Sequence, residues 1–171
     1  MADLTVPVTD RDHIEGPASA AVTLVEYGDY QCPYCGQAYG VIKETQRRFG
    51  DQLRFVFRNF PLQEMHPYAV SAAMTAEFAA QHGQFWPVHD ALYENQQRLG
   101  EGLYEAIITE VGLDPAALRE AMRSDSLLAR IQADVDGGEA SGVQGTPGFF
   151  LNGDMFEDGY PELPGVIAQL V

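Results

Sequence analysis

Cysteine and lysine are nearly missing from this chain. Its 171 residues include two cysteines and one lysine, Lys43, so nine of the ten basic residues are arginines. Two cysteines exclude the multi-bridge disulfide framework of small secreted domains. Twenty-five acidic side chains against so few cations leave a formal net charge of −15. Such a surface repels nucleic acid and anionic membranes, and the aromatic residues form no stacking platform for bases. No segment approaches the ~20 apolar residues of a membrane helix, so membrane insertion is not expected. The opening stretch MADLTVPVTDRDHIEGPAS has neither a basic region nor an apolar run, so it does not read as a signal peptide. The chain as given therefore reads as cytoplasmic, or as periplasmic or extracytoplasmic if a targeting segment was removed. Repeats and low-complexity tracts are also missing. What remains, 46% hydrophobic and 20% charged, is an ordinary globular composition.

Residues 1–20 read as a polar, extended lead-in. AVTLVEY (21–27) alternates as a strand, with Val22, Leu24 and Glu26 on one face and Thr23, Val25 and Tyr27 on the other. A helix follows over 33–49, presenting Ala38, Ile42, Thr45 and Phe49 to one side and ending at Gly50. LRFVFRNF (53–60) is a second strand, so the two strands and the helix suggest a parallel βαβ unit. The middle is almost wholly helical, with apolar residues at helical spacing from Pro67 to Met122 and an N-cap–proline start at Asp114-Pro115. A last long helix from about Ser126 is expected to turn Leu128, Ile131 and Val135 inward. Asn152-Gly153 between two apolar runs marks a hairpin, and PELPGVIAQLV closes with a short helix. The order β-α-β, helices, β-β-α predicts an α/β fold, a mixed sheet with an inserted helical lobe.

Both cysteines fall in YQCPYCGQAY, where the first helix begins. With Cys32 at the helix start, Pro33 takes the first helical position, where its fixed φ fits and its missing N–H costs nothing. Cys35 lies one turn on, at the ~5–6 Å separation of an i, i+3 pair, within the range a disulfide spans. The free backbone N–H groups at the helix start favour a thiolate at Cys32 and should lower its pKa below the usual ~8.5. Cys35, one turn inside and facing the sheet, should stay protonated until used. Cys32 is then a nucleophile and Cys35 a resolving thiol. A structural staple is a poor alternative, because closing four residues stabilises by only roughly 2 kcal/mol. Zinc is a poor alternative too, since two cysteines and four scattered histidines supply no four-ligand set; no metal site and no cofactor beyond a Cys32–Cys35 disulfide are expected.

Glu26 is a carboxylate on an otherwise apolar strand face, six residues before Cys32. Burial there should raise its pKa and fit it to accept the Cys35 proton, directly or through a water. Pro147, between glycines in GVQGTPGFF and just before a strand, sits where a cis X–Pro bond is used. A cis Thr146–Pro147 bond would turn the Thr146 backbone outward as a strand edge on which an extended substrate can pair. His66, His82 and His89 read as ordinary surface or core histidines, and His13 lies in the lead-in. Asp134, Asp136 and Glu139 lack the spacing of an EF-hand and read as a solvated helix end.

The segments GPASAAVTLVEYGDYQCPYC, RNFPL with HPYA, QFWPVHDALYENQ and VQGTPGFFLNG run in one order from about Arg11 to the C-terminus. Together they resemble the DsbA-like branch of the thioredoxin superfamily, close to the thioredoxin-like domains fused behind Na⁺/H⁺ antiporters. The resemblance implies a thioredoxin fold over 21–62 and 125–171 with an inserted all-helical domain over 63–124, Cys32 as nucleophile, Cys35 as resolving thiol, Glu26 as buried acid and a cis Pro147. Phe85, Trp86, His89 and Asp90 fall in the helical part and receive no catalytic role. Strongly oxidising members often carry histidine where Tyr34 stands. Tyr34 offers the Cys32 thiolate at most a weak hydrogen bond, which implies a potential between those of thioredoxin and DsbA. The expected activity is thiol–disulfide exchange by a monomer with protein or peptide thiols and an unidentified redox partner. The alternatives are a glutathione-using, glutaredoxin-like enzyme and a non-catalytic redox-sensing or partner-binding domain.

Overall fold

A computed structural model describes residues 2–171. Five strands, β1 (His13–Glu15), β2 (Val22–Gly28), β3 (Leu53–Asn59), β4 (Gly148–Leu151) and β5 (Asp154–Phe156), form one sheet in the order β1-β3-β2-β4-β5. Only β2 and β3 are parallel, with Val22 opposite Leu53 and Gly28 opposite Asn59, as a helical crossover requires. The remaining pairs are antiparallel. The crossover is α1 (Pro33–Phe49), whose buried residues are Cys35, Ala38, Ile42, Thr45 and Phe49. The β4–β5 hairpin turns at Asn152 and Gly153, both with positive φ, 49° and 91°. Asn and Gly are the residues that tolerate this conformation.

Four helices, α2 (Ala69–Ala80), α3 (Phe85–Glu94), α4 (Glu101–Glu110) and α5 (Pro115–Met122), lie between β3 and the returning α6 (Ser126–Ala140). The last helix is α7 (Leu163–Leu170). The fold is the mixed α/β, thioredoxin-like one with helices inserted after β3. One core cluster joins Val22, Leu24, Phe55, Phe57, Phe149 and Leu151 of the sheet to α1, α7 and the inserted helices. A smaller one covers the opposite face with Val25, Tyr27, Val56, Phe60 and Phe150, packed against Val135 and the lead-in residues Leu4 and Val8.

Three details depart from the sequence reading. The lead-in contains a strand, β1, paired antiparallel with β3. Leu127, rather than Leu128, faces inward on α6; Leu128 is exposed. Asp134 is not solvated, because it accepts hydrogen bonds from the Asn59 backbone at 3.0 Å and its side chain at 2.9 Å. The lead-in is strapped to the sheet by buried Arg58, which pairs with Asp12 at 2.8 Å and donates to the Tyr27 hydroxyl and the Val6 carbonyl.

Candidate active site

The cysteine pair sits where β2 hands over to α1. Cys32 is the N-cap, with extended backbone (φ −67°, ψ 122°), Pro33 opens the helix, and the Gly36 N–H donates to the Cys32 carbonyl at 3.0 Å. Cys35 is fully buried and Cys32 nearly so, while Tyr34 between them is 62% exposed. Both cysteines are free thiols.

The two sulfurs are chemically unequal. The Cys32 pKa is lowered to about 5. The Cys35 thiol, donating toward the Cys32 sulfur, is the main cause, with further lowering by the Thr146 side chain and the Cys35 and Tyr34 backbone amides, against the opposing effect of burial. Each donor satisfies negative charge on sulfur and has less to offer a neutral thiol. Cys35 is held well above the ordinary thiol range by burial first, then by its donation to Cys32 and the negative charge of Glu26.

Thr146 reaches Cys32 from the loop before β4. Its carbonyl lies 3.6 Å from the Cys32 sulfur and can accept from the thiol form. Its Oγ1 is buried with no hydrogen-bond partner among the described residues, which leaves that hydroxyl free to serve the thiolate. The Thr146–Pro147 peptide is cis.

Glu26 lies on β2 with Phe57 and Phe149 as its neighbours in register, on the sheet face that carries α1. It is 2% exposed, and its Oε2 has no hydrogen-bond partner among the described residues. Burial, reinforced by charge on Cys32, pushes its pKa up to about 8.

Other residues hold this arrangement and were not singled out by the sequence. Asp29 is buried just before the pair. Its carboxylate accepts from the Gln31 and Leu62 amides at 2.8 and 2.9 Å and lies 2.7 Å from His66 Nδ1. Gln96, from the inserted segment, donates to the carbonyls of Cys32 at 2.7 Å and Tyr30 at 2.9 Å. Tyr30 is buried and hydrogen-bonds His89 Nδ1 at 2.8 Å. Gln96 and His89 belong to the QFWPVHDALYENQ segment, whose reach to the cysteines no local pattern reveals. A hollow of about 250 Å³ beside Cys32 is lined by Gln31, Pro33, Tyr68, Gln96, Gln97 and Leu99. Cavities of about 570 and 520 Å³ lie around Arg130 and include neither cysteine. No cluster of three or more potential metal-ligating side chains exists among the described residues.

Residues 8–167 match the family model described as thioredoxin. The chain belongs to the thioredoxin family. Over 161 residues it is 44% identical to Na(+)/H(+) antiporter NhaA 1 of Salinispora arenicola, a match covering 94% of this chain and 24% of that protein. With NhaA 1 of Mycolicibacterium vanbaalenii it shares 38% over 146 residues, 84% of this chain and 24% of that one. The chain thus spans about a quarter of the length of these curated relatives. Among the described residues no helix is long and apolar enough to cross a membrane.

The fold matches oxidised BdbD from Bacillus subtilis with a TM-score of 0.86 at 24% identity, covering 99% of this chain and 97% of that one. A thioredoxin-like oxidoreductase from Silicibacter pomeroyi matches with a TM-score of 0.78 at 26% identity, covering 94% and 92%. The thiol-disulfide exchange protein alpha-DsbA2 from Wolbachia pipientis matches at 0.78 and 17%, covering 95% and 88%. The thioredoxin-family chain has the fold of DsbA-like oxidoreductases, with its two cysteines in a CXXC arrangement.

Proposed function

We propose that this thioredoxin-family chain exchanges disulfides with protein or peptide thiols through Cys32 and Cys35, acting as a monomer without a further cofactor. The observation that carries this reading is the split between neighbouring thiols, one lowered to about 5 and the other raised by burial. The Cys32 thiolate attacks one sulfur of a substrate disulfide. That bond breaks, the other substrate sulfur leaves as a thiolate and takes a proton, and a Cys32–substrate mixed disulfide forms. Cys35 then gives its proton to Glu26 in its ionised form, the smaller fraction at neutral pH and one that grows as pH rises, and attacks the Cys32 sulfur. The Cys32–Cys35 bond forms, the remaining substrate sulfur leaves as a thiolate, and two electrons have passed from protein to substrate. Oxidation of a substrate dithiol runs the same steps backwards.

The substrate lies, in this reading, along the Thr146–Pro147 edge. Three of the seven large hydrophobic side chains that are exposed among the described residues, Tyr34, Met65 and Tyr68, belong to the CXXC motif or to the 62–68 segment hydrogen-bonded to Asp29 and Gln31. That supports an unfolded or extended polypeptide as substrate. Residues 63–124 then act as an inserted domain that braces the start of α1. A Cys35→Ser variant tests the scheme: incubated with a disulfide-bonded peptide, it should accumulate a Cys32–peptide adduct that wild type does not retain. An adduct that fails to form on the variant, or that persists equally on wild type, overturns the reading.

A further inference from the structure

The inserted helices bring one more side chain beneath the cysteine pair. Tyr93, near the end of α3, is buried, and its hydroxyl has no hydrogen-bond partner among the described residues. It lies over the bare face of Gly28: a Cβ added there would stand 3.1 Å from the Tyr93 hydroxyl and 2.5 Å from the Phe57 ring. Gly28 follows Glu26 by two residues on β2, so both project to the same sheet face, about 6.6 Å apart along the strand. Glycine leaves there the space that Tyr93 fills, one step along from the buried carboxyl.

Glu26 Oε2 and the Tyr93 hydroxyl are thus two buried, unpartnered oxygens on the same face of the sheet, one from β2 and one from the helical segment that covers Gly28. Buried polar groups almost always find partners. The titratable groups close enough to Glu26 to feel its charge are Cys32 at the N-cap of α1, Cys35 on α1, Tyr30 from the loop and Tyr93 from α3; its register neighbours on β3 and β4 are the phenylalanines Phe57 and Phe149. Tyr30 and His89 are engaged with each other, and Asp29 holds the loop. Tyr93 is the donor left over.

We propose that Tyr93 is a positioning residue for the resolving step: its O–H donates to the Glu26 carboxylate, directly or across one water, when that carboxylate takes the Cys35 proton. Tyr93 keeps its own proton throughout. The inference rests on the role given to Glu26 above.

The test uses the reduced protein reacted with an aromatic disulfide reagent, so that Cys32 carries a coloured thiol. Release of that thiol reports attack by Cys35, followed against pH. In Tyr93→Phe the ring keeps its packing on Tyr30 and Tyr39, so the fold is retained. In wild type release should rise with pH along a limb set by ionisation of Glu26; in Tyr93→Phe that limb is expected about one pH unit higher, with release about tenfold slower below it, as loss of a hydrogen bond to a charged group predicts. The Cys32 titration stays in place, and Tyr93→Phe has no added effect in a Glu26→Gln background. A limb coinciding with that of wild type, or an equal slowing in both backgrounds, overturns the proposal. If Glu26→Gln flattens the limb and Tyr93→Phe leaves it unmoved, only the role of Tyr93 falls. If Glu26→Gln leaves the limb unmoved, the Glu26 assignment falls and this proposal with it.

Discussion

The sulfur of Cys32 lies 3.6 Å from the backbone carbonyl of Thr146, a residue 114 positions away in sequence. This contact joins the helix start to the loop before β4 and sets Thr146 beside the reactive thiol. The Thr146 side chain also helps to lower the Cys32 pKa. Thr146→Ala should therefore raise that pKa from about 5 toward the ordinary thiol range, by about half to one unit for one weak hydrogen bond. The pH dependence of Cys32 alkylation measures the shift.

The reduction potential follows from the same thiolate. At pH 7 a thiol with a pKa of about 5 is ionised, which favours the reduced form over a pair of ordinary thiols by roughly 2.7 kcal/mol. That corresponds to roughly 60 mV. Equilibration with glutathione buffers should give a value between the about −270 mV of thioredoxin and the about −120 mV of DsbA. Between pH 6 and 7 reduction takes up one proton rather than two, so the slope should be about −30 mV per pH unit instead of about −60.

Glu26 makes stability depend on pH in the opposite sense from a paired carboxylate. Its folded pKa is raised, to about 8, chiefly by burial. Below the ordinary glutamate pKa both folded and unfolded chains hold the proton. Above it the unfolded chain ionises first, so stability falls as pH rises until the folded group ionises too. Glu26→Gln removes this slope. In the disulfide form, where the thiols cannot contribute and the Cys32 charge no longer adds to the effect of burial, the variant should gain on wild type as pH rises from about 5 to 8, by at most about 4–5 kcal/mol. Urea denaturation across that range measures it.

Gln96 anchors the active-site loop to the inserted segment through the carbonyls of Cys32 and Tyr30. Gln96→Ala takes the side-chain donor from the Tyr30 carbonyl and leaves the Cys32 carbonyl with the Gly36 N–H alone, and should cost about 1–2 kcal/mol. Faster amide exchange at the start of α1, compared with β3, would locate the loss.

Much of this was legible in the sequence where local rules apply. The limits of α1, the Asn152-Gly153 hairpin and the placing of Glu26 among apolar residues follow from periodicity and turn chemistry. The three residues of β1 are too few and too mixed to show a period of two. Leu127 and Leu128 both suit a helix face, and only packing chooses between them. Asp29 with His66, Gln96 and Tyr93 act across tens of residues, and Asp134 is buried by Asn59 of another element. Gln96 and Tyr93 lie in the segment quoted for the family resemblance, yet nothing in that segment says that it reaches the cysteines.

The account rests on the inequality of the two thiols, and titrating the reduced protein by thiolate absorbance tests it most directly. One sulfur should ionise near pH 5, assigned to Cys32 by its loss in Cys32→Ser, while Cys35 stays silent through neutral pH. A first midpoint at the ordinary thiol value, or both sulfurs ionising together, would contradict the account.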